Sequence, residues 1–320
     1  MPNSFFIKLK HTLHALLPLC FLLLLILVFS VSSPVFLSKD NLLGILRQSA
    51  VLLTVACGAT FIILQGSIDL SVGSIVSFTG IAAAVMMQRW GVGIGAVPLA
   101  MLLGGAVGFV NGAIFAYGKV PSFLVTLGSL FTINGLGLVI SEGRAIPISN
   151  AGYIGLASGE LIGSLPNIIL FSFAVYFLSI VIASRTRFGR QLYAIGGGER
   201  VARLSGVPVN RLKLLSFVYA GLLAGLGGVL MSARLRAGSP NMGEGLLLDS
   251  IAAVVIGGTA LTGGMGGPHR TLLGVLIMGI LGNGMNINAV DPNIQIIIKG
   301  SIVVLAVFLT VDRSKIEIMK

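Results

Sequence analysis

This sequence predicts an all-α membrane protein, a ten-helix polytopic bundle, and three observations support that fold class. The 320 residues are 55% hydrophobic and 10% charged, with a mean hydropathy of +1.02. Apolar runs of about 20 residues recur from end to end, the length that crosses about 30 Å of hydrocarbon. Glycine reaches 44 residues, which suits helix packing in lipid, where small residues let backbones approach. No stretch has the length and polarity of a soluble catalytic domain, so residues 1–320 read as one transmembrane domain.

In order, the spans fall near 14–33, 50–66, 71–88, 93–117, 121–141, 165–184, 213–233, 247–262, 271–287 and 294–311. Lys8, Lys10 and His11 precede the first apolar run, and Ser30 and Ser32 follow it. That pattern also fits a signal peptide, but an even number of crossings favours a retained first helix. With both ends in the cytoplasm, inner segments carry 14 of the 21 basic residues and outer segments 6, with Lys299 inside a span. This positive-inside bias predicts an N-in, C-in chain. The net charge of +11 does not imply nucleic acid, because Lys and Arg lie scattered between apolar runs and form no basic domain. Cys20 and Cys57 fall in apolar segments and read as small core residues.

The run Gln65-Gly-Ser-Ile-Asp-Leu-Ser-Val-Gly-Ser-Ile75 joins two apolar segments, 52–64 and 75–87, with almost no linker. Broken backbone and a carboxylate at membrane depth are tolerated only inside protein or along a water-filled cavity. The sequence therefore builds a passage for something polar, or the hinge of one. Asp69 reads first as a cap that holds the break, favoured by the helix dipole, and second as a contact for the passing solute. Asp249 takes the same reading. The two stretches, Gly66-x-x-Asp69-x-x-x-Gly73 and Gly245-x-x-x-Asp249, resemble each other weakly. They fit inverted repeats of spans 2–5 and 7–10, and chance explains them as well. Gln65, Asn111, Thr126, Asn134, Asn283 and Asn286 are polar positions in spans. They line a path for a hydroxyl-rich solute or make interhelical hydrogen bonds of about 0.6–2 kcal/mol each. Lys299, early in the last span, reads as snorkelling outward.

Two loops are long. Residues 142–165, rich in Gly, Ser, Pro and Asn, lie outside and either fold over a pore mouth or simply connect. Residues 185–212 lie inside, and within them Glu199–Leu204 reads as one short helix. Gly196, Gly197 and Gly198 break it on one side, Gly206 and Pro208 on the other. Val201 and Leu204 share a face, and Arg200 and Arg203 line another. Such a helix lies on anionic lipid headgroups or docks into a groove on a soluble partner.

No enzyme emerges from these residues. His11, His14 and His269 are isolated near membrane edges, and the acids are few and separated, so no catalytic site, metal site or cofactor is assembled. A phosphate-cradling loop is also missing. Gly118-Lys119-Val120 lacks both the upstream glycine and the hydroxyl.

Three segments together resemble the permease subunit of ABC importers for ribose and related monosaccharides: Gly66-Ser-Ile-Asp-Leu-Ser-Val-Gly-Ser; Arg185-Thr-Arg-Phe-Gly-Arg-Gln-Leu-Tyr-Ala-Ile-Gly-Gly with Ala202-Arg-Leu-Ser-Gly; and Leu248-Asp-Ser-Ile-Ala-Ala-Val-Val-Ile-Gly-Gly-Thr-Ala-Leu-Thr-Gly-Gly. The resemblance implies a bacterial inner-membrane subunit that pairs with a second permease chain, identical or not. It also implies a separate ABC ATPase and a periplasmic sugar-binding protein. It places ATPase coupling on Gly198, Glu199, Arg200, Ala202, Arg203, Ser205 and Gly206, and so favours docking over lipid contact there. It leaves Gln65, Asp69, Asn111, Thr126, Asn134, Asp249 and Asn283 as candidates for the pathway. The chain has Gly66-Ser67 where the family often has Gly-Gly, and Glu199 where Asn is common, which leaves the identity of the ATPase open. A branched-chain amino acid, a nucleoside or an autoinducer-type furanose is the alternative cargo. An ion-driven transporter is the alternative class, and it would need more intramembrane acids than the chain supplies.

Overall fold

The computed structural model describes residues 4–310, with side chains from 17 to 308. Lys8, Lys10, His11, His14, Arg313, Lys315 and Lys320 fall outside the described side chains, so part of the charge asymmetry lies there. The fold is 77% helical, with thirteen α-helices among the described residues. Seven are long and apolar enough to cross a membrane, and three apolar stretches are shorter: Leu17–Ser32, Leu246–Ile256 and Pro292–Phe308.

The N-terminal helix α1 is Ser4–Ser32, and α2 runs Lys39–Leu64. The predicted second span starts well after α2 does. Ser38 caps the helix by accepting from Asn41 N–H, and Asp40 in the first turn favours its N-terminal dipole. A hydropathy window skips this polar first stretch, although it is helical. After the break come α3 (Val72–Trp90), α4 (Ala96–Gly118) and α5 (Ser122–Ser141).

The loop at 142–165 is not bare connector. Strand β1 (Ile146–Pro147) pairs antiparallel with β4 (Ala237–Gly238). Helix α6 (Ala151–Ser158) follows, then the hairpin of β2 (Glu160–Ile162) and β3 (Leu165–Pro166). Tyr153 anchors α6, fully buried, with its hydroxyl 2.8 Å from Ser232 Oγ.

The second half holds α7 (Asn167–Arg185), α8 (Arg187–Gly197), α9 (Glu199–Leu204), α10 (Val209–Leu235), α11 (Leu246–Ile256), α12 (Pro268–Ile287) and α13 (Pro292–Thr310). The predicted eighth span ends too late: α11 stops at Ile256, and the glycine-rich stretch 257–267 is irregular. Its 11 residues rise about 16 Å, half a bilayer.

Helices α4 and α10 pack along an extended, glycine-lined seam. A Cβ added at Gly104 would collide with the Gly221 carbonyl, and one at Gly108 with the Phe217 carbonyl. Only glycine admits this approach, and it brings the two backbones into van der Waals contact, the main source of helix association in lipid. The largest core cluster joins α2, α11 and α12 through Leu53, Ile63, Ala253, Val275 and Ile277. By contrast, α5 leaves Phe131 and Val139 exposed, a face for lipid or for another chain.

Candidate functional site

Two sites converge on the end of α2. Gly66 N–H donates to Ile63 O and Ser67 N–H to Ile62 O, which closes the helix with its chain reversed at Gly66, φ +77°. The next residues are held by neighbours. Ile68 N–H donates to Ser122 Oγ at 3.2 Å and Leu70 N–H to Thr126 Oγ1 at 3.0 Å, both from the first turns of α5. Asp69 Oδ1 accepts from Ser71 N–H at 2.8 Å and from Ser71 Oγ at 2.6 Å. Asn111 Nδ2 of α4 then donates to Ser71 Oγ at 3.0 Å. The carboxylate therefore makes a turn two residues on, just ahead of α3, and fixes where that helix begins.

The structure thus gathers Gln65, Asp69, Asn111 and Thr126 at one break, the last two bracing it. Gln65 is buried with neither end of its amide partnered. Asp69 also lines a small cavity with Ile62, Ile68, Ile251 and Leu261. Asn134 sits half-buried farther along α5. Asn283 stands apart: it exchanges hydrogen bonds with Asn41, at the opposite end of α2, at 3.1 and 2.8 Å. Asn286 Oδ1 accepts from Gln295 Nε2. Asp249 is not a cap, and Lys299 does not snorkel. Asp249 lies within the first turns of α11, and its Oδ2 accepts from Lys299 Nζ of α13 at 2.8 Å. Two half-buried charges compensate each other there. The backbones around Asp69 and Asp249 also differ, so the sequence likeness of the two stretches is not a likeness of structure.

The second site is α9. The glycines place it as expected, with Gly206 at φ +80° ending it. Sequence reading missed α8 before it, which turns Leu192 and Ile195 into the core beside Phe61. Ala202 is buried, while Arg200 and Ser205 are exposed. Glu199 clamps the segment: Oε1 meets Arg203 at 2.9 Å and Oε2 meets Lys213 of α10 at 2.7 Å. Burial works against the Glu199 charge, but hydrogen bonds and charge from Lys213 and Arg203 outweigh it and hold the carboxyl below the usual range. Lys213 also lies 4.6 Å from the Phe115 ring centroid. Against this fixed frame Val201 and Leu204 stay 69% and 82% exposed.

The two sites touch. Gly264 N–H donates to Leu64 O at 2.9 Å, and Tyr193 of α8 donates to Gly266 O at 2.8 Å. A Cβ at Gly196 would strike both Leu64 O and Gly264 N. The segment carrying α9 therefore rests on the backbone that opens the break, a contact for which Gly196 is required and which no motif announced. Among the described residues no group of three or more His, Cys, Asp or Glu is placed to hold a metal ion.

This arrangement has relatives. The family profile described as branched-chain amino acid transport system / permease component matches residues 41–307. The ribose import permease protein RbsC of Escherichia coli (strain K12) is 40% identical over 298 residues, 92% of each chain. RbsC of Bacillus subtilis (strain 168) is 38% identical over 300 residues, 93% of this chain and 92% of its own. The L-arabinose ABC transporter permease protein AraH of Azospirillum brasilense is 36% identical over 289 residues, 89% and 84% of the two chains. No solved structure matches. A profile match across most of the chain and these identities over nearly full length lead to one conclusion: the chain belongs to this permease family, among the ribose-type ABC importer permeases.

Proposed function

We propose that this chain forms the translocation pathway of an ABC importer for a monosaccharide. A binding protein delivers the sugar, and a separate ATPase that docks on α9 drives its passage. The observation that carries this reading is the exposure of Val201 and Leu204 on a helix that Glu199 ties to Lys213 of α10. Apolar side chains on a fixed, water-facing helix are what a soluble partner's groove would cover. The partner's motion would pass through Gly196 to Leu64 and so to the break. The charge bias supports an N-in, C-in chain with ten crossings, in which the short α11 and α13 count with the longer helices. Two such subunits face each other across the pathway. The chain moves its cargo without covalent chemistry, and hydrolysis belongs to the ATPase.

The test is reconstitution of the permease with an ABC ATPase and a sugar-binding protein of the same source. ATP hydrolysis and uptake are then measured across a panel of sugars and other small polar solutes. A monosaccharide should stimulate both. Stimulation by an amino acid or nucleoside alone would overturn the sugar assignment. Uptake at the wild-type rate in Val201→Ser/Leu204→Ser would remove the docking role.

A further inference from the structure

Between β4 and α11 the chain runs without helix through residues 239–245. In sequence this stretch reads as an outer loop, but in the fold it sits deep. Gly243 is wedged against the Gly73 carbonyl at the start of α3, and its N–H donates to Ser77 Oγ at 2.9 Å. From Ser77, α3 continues for about 20 Å before Arg89 and the exposed Trp90 mark the membrane edge. At that depth a non-helical, polar segment must face protein or water.

Glu244 is exposed in this segment, and among the described residues no hydrogen bond or ion pair reaches its carboxylate. Asp249, just beyond it, is paired with Lys299. The fold thus neutralises one acid of this region and leaves the other open. Glu244 also leads into α11. Leu248, four residues on, is 46% exposed, and Ile251, three further, lines the cavity that Asp69 shares. Leu248 and Ile251 share a face of α11, and Glu244 lies just ahead of that helix, before the turn at Gly245, φ +84°. Glu244 thus stands at the head of the helix whose Ile251 shares a cavity with Asp69 of the break at residues 65–71.

Resting on the transport reading above, we propose that Glu244 is a selectivity residue of the pathway. Its carboxylate accepts hydrogen bonds from the hydroxyls of an uncharged polyhydroxyl solute at mid-membrane, and its charge turns anionic solutes away. A carboxylate offers two oxygens and only accepts, which matches adjacent hydroxyl donors, and such charge-assisted bonds are stronger than neutral ones. Repulsion of an anion is also larger there than in bulk water, because the surroundings are less polarisable.

The test uses the whole importer in proteoliposomes, with ATPase and binding protein. In a Cys20→Ser/Cys57→Ala background, Glu244→Cys should react with a charged, water-soluble thiol reagent, and transported sugar should slow that reaction. With the native cysteines present, Glu244→Gln should lower uptake at saturating loaded binding protein by about tenfold, the size expected for one lost charge-assisted bond. Assembly should be unchanged, and Glu244→Asp should recover most of the rate. An inert Glu244→Cys, or Glu244→Gln importing at the wild-type rate, overturns the proposal while wild-type sugar uptake keeps the transport reading. Wild-type protein that imports no monosaccharide overturns both.

Discussion

Two of the non-helical stretches that lead into an apolar helix, 65–71 and 239–245, are built differently. In the first, the acid turns inward. Asp69 takes two hydrogen bonds from Ser71, Asn111 reaches the same hydroxyl, and Ser122 and Thr126 hold the neighbouring N–H groups. In the second, the backbone closes on itself and on Ser77, while Glu244 is left without a protein partner among the described residues. The first is a joint braced through Asp69 and Ser71, although the Gln65 amide at its start stays buried without a partner among the described residues. The second presents its polar group to whatever passes. Similar composition yields a hinge or a lining according to whether neighbouring helices supply donors, since a buried polar group is costly unless paired.

The comparison can be broken most forcefully at Asp69. Asp69→Leu removes the acceptor of two buried hydrogen bonds and strands both donors, at a cost of about 3 kcal/mol. We expect a much lower melting temperature in detergent and loss of uptake. An unshifted melting curve would mean that the joint is not braced by this carboxylate.

Gly196→Val is next, because a side chain there meets the Leu64 carbonyl and the Gly264 amide, both backbone. Overpacking of this kind costs about 1–3 kcal/mol. ATP hydrolysis by the assembled importer should persist while uptake falls, whereas tight coupling in this variant would exclude the contact as a transmission route.

A milder effect is expected at the paired acid. Asp249→Asn or Lys299→Met alone should destabilise by about 2 kcal/mol, reduced from the fully buried case because both side chains keep some exposure. The double variant Asp249→Leu/Lys299→Met should recover most of that loss, which a double-mutant cycle on thermal stability would measure.

The smallest effect concerns pH. The Glu199 carboxyl is held below its ordinary value, so its clamp contributes fully above the unfolded value and is lost as pH falls through the folded one. Hydrogen exchange at Glu199–Leu204 should stay constant around neutrality and rise only in strongly acidic buffer. A rise near neutrality would contradict the clamp.

Much of the molecule was readable along the chain. Apolar length located the major helices, and the glycines at 196–198 and 206 bracketed α9 to the residue. The break at 65–71 was also readable from Gly66 and Asp69, although Asp69 bonds Ser71 ahead of α3 instead of capping the helix itself. What escaped notice shares one property, dependence on a partner distant in sequence. The early start of α2 was obscured because Lys39, Asp40 and Asn41 are polar, although Asn41 finds Asn283 of α12. The role of Lys299 depended on Asp249, and that of Gly196 on Leu64 and Gly264. Residues 239–245 looked external because polar, non-helical chain is ordinarily outside the bilayer.

By itself the sequence determined that this polypeptide lives in a membrane, where its helices lie and where its backbone must turn. Those outcomes follow from transfer of apolar length into lipid and from local conformational preference, both properties of contiguous residues. The tertiary structure alone decided which acids are satisfied, which glycines are indispensable and which carboxylate remains open. Pairing and close approach are distances between segments, and no local pattern encodes them.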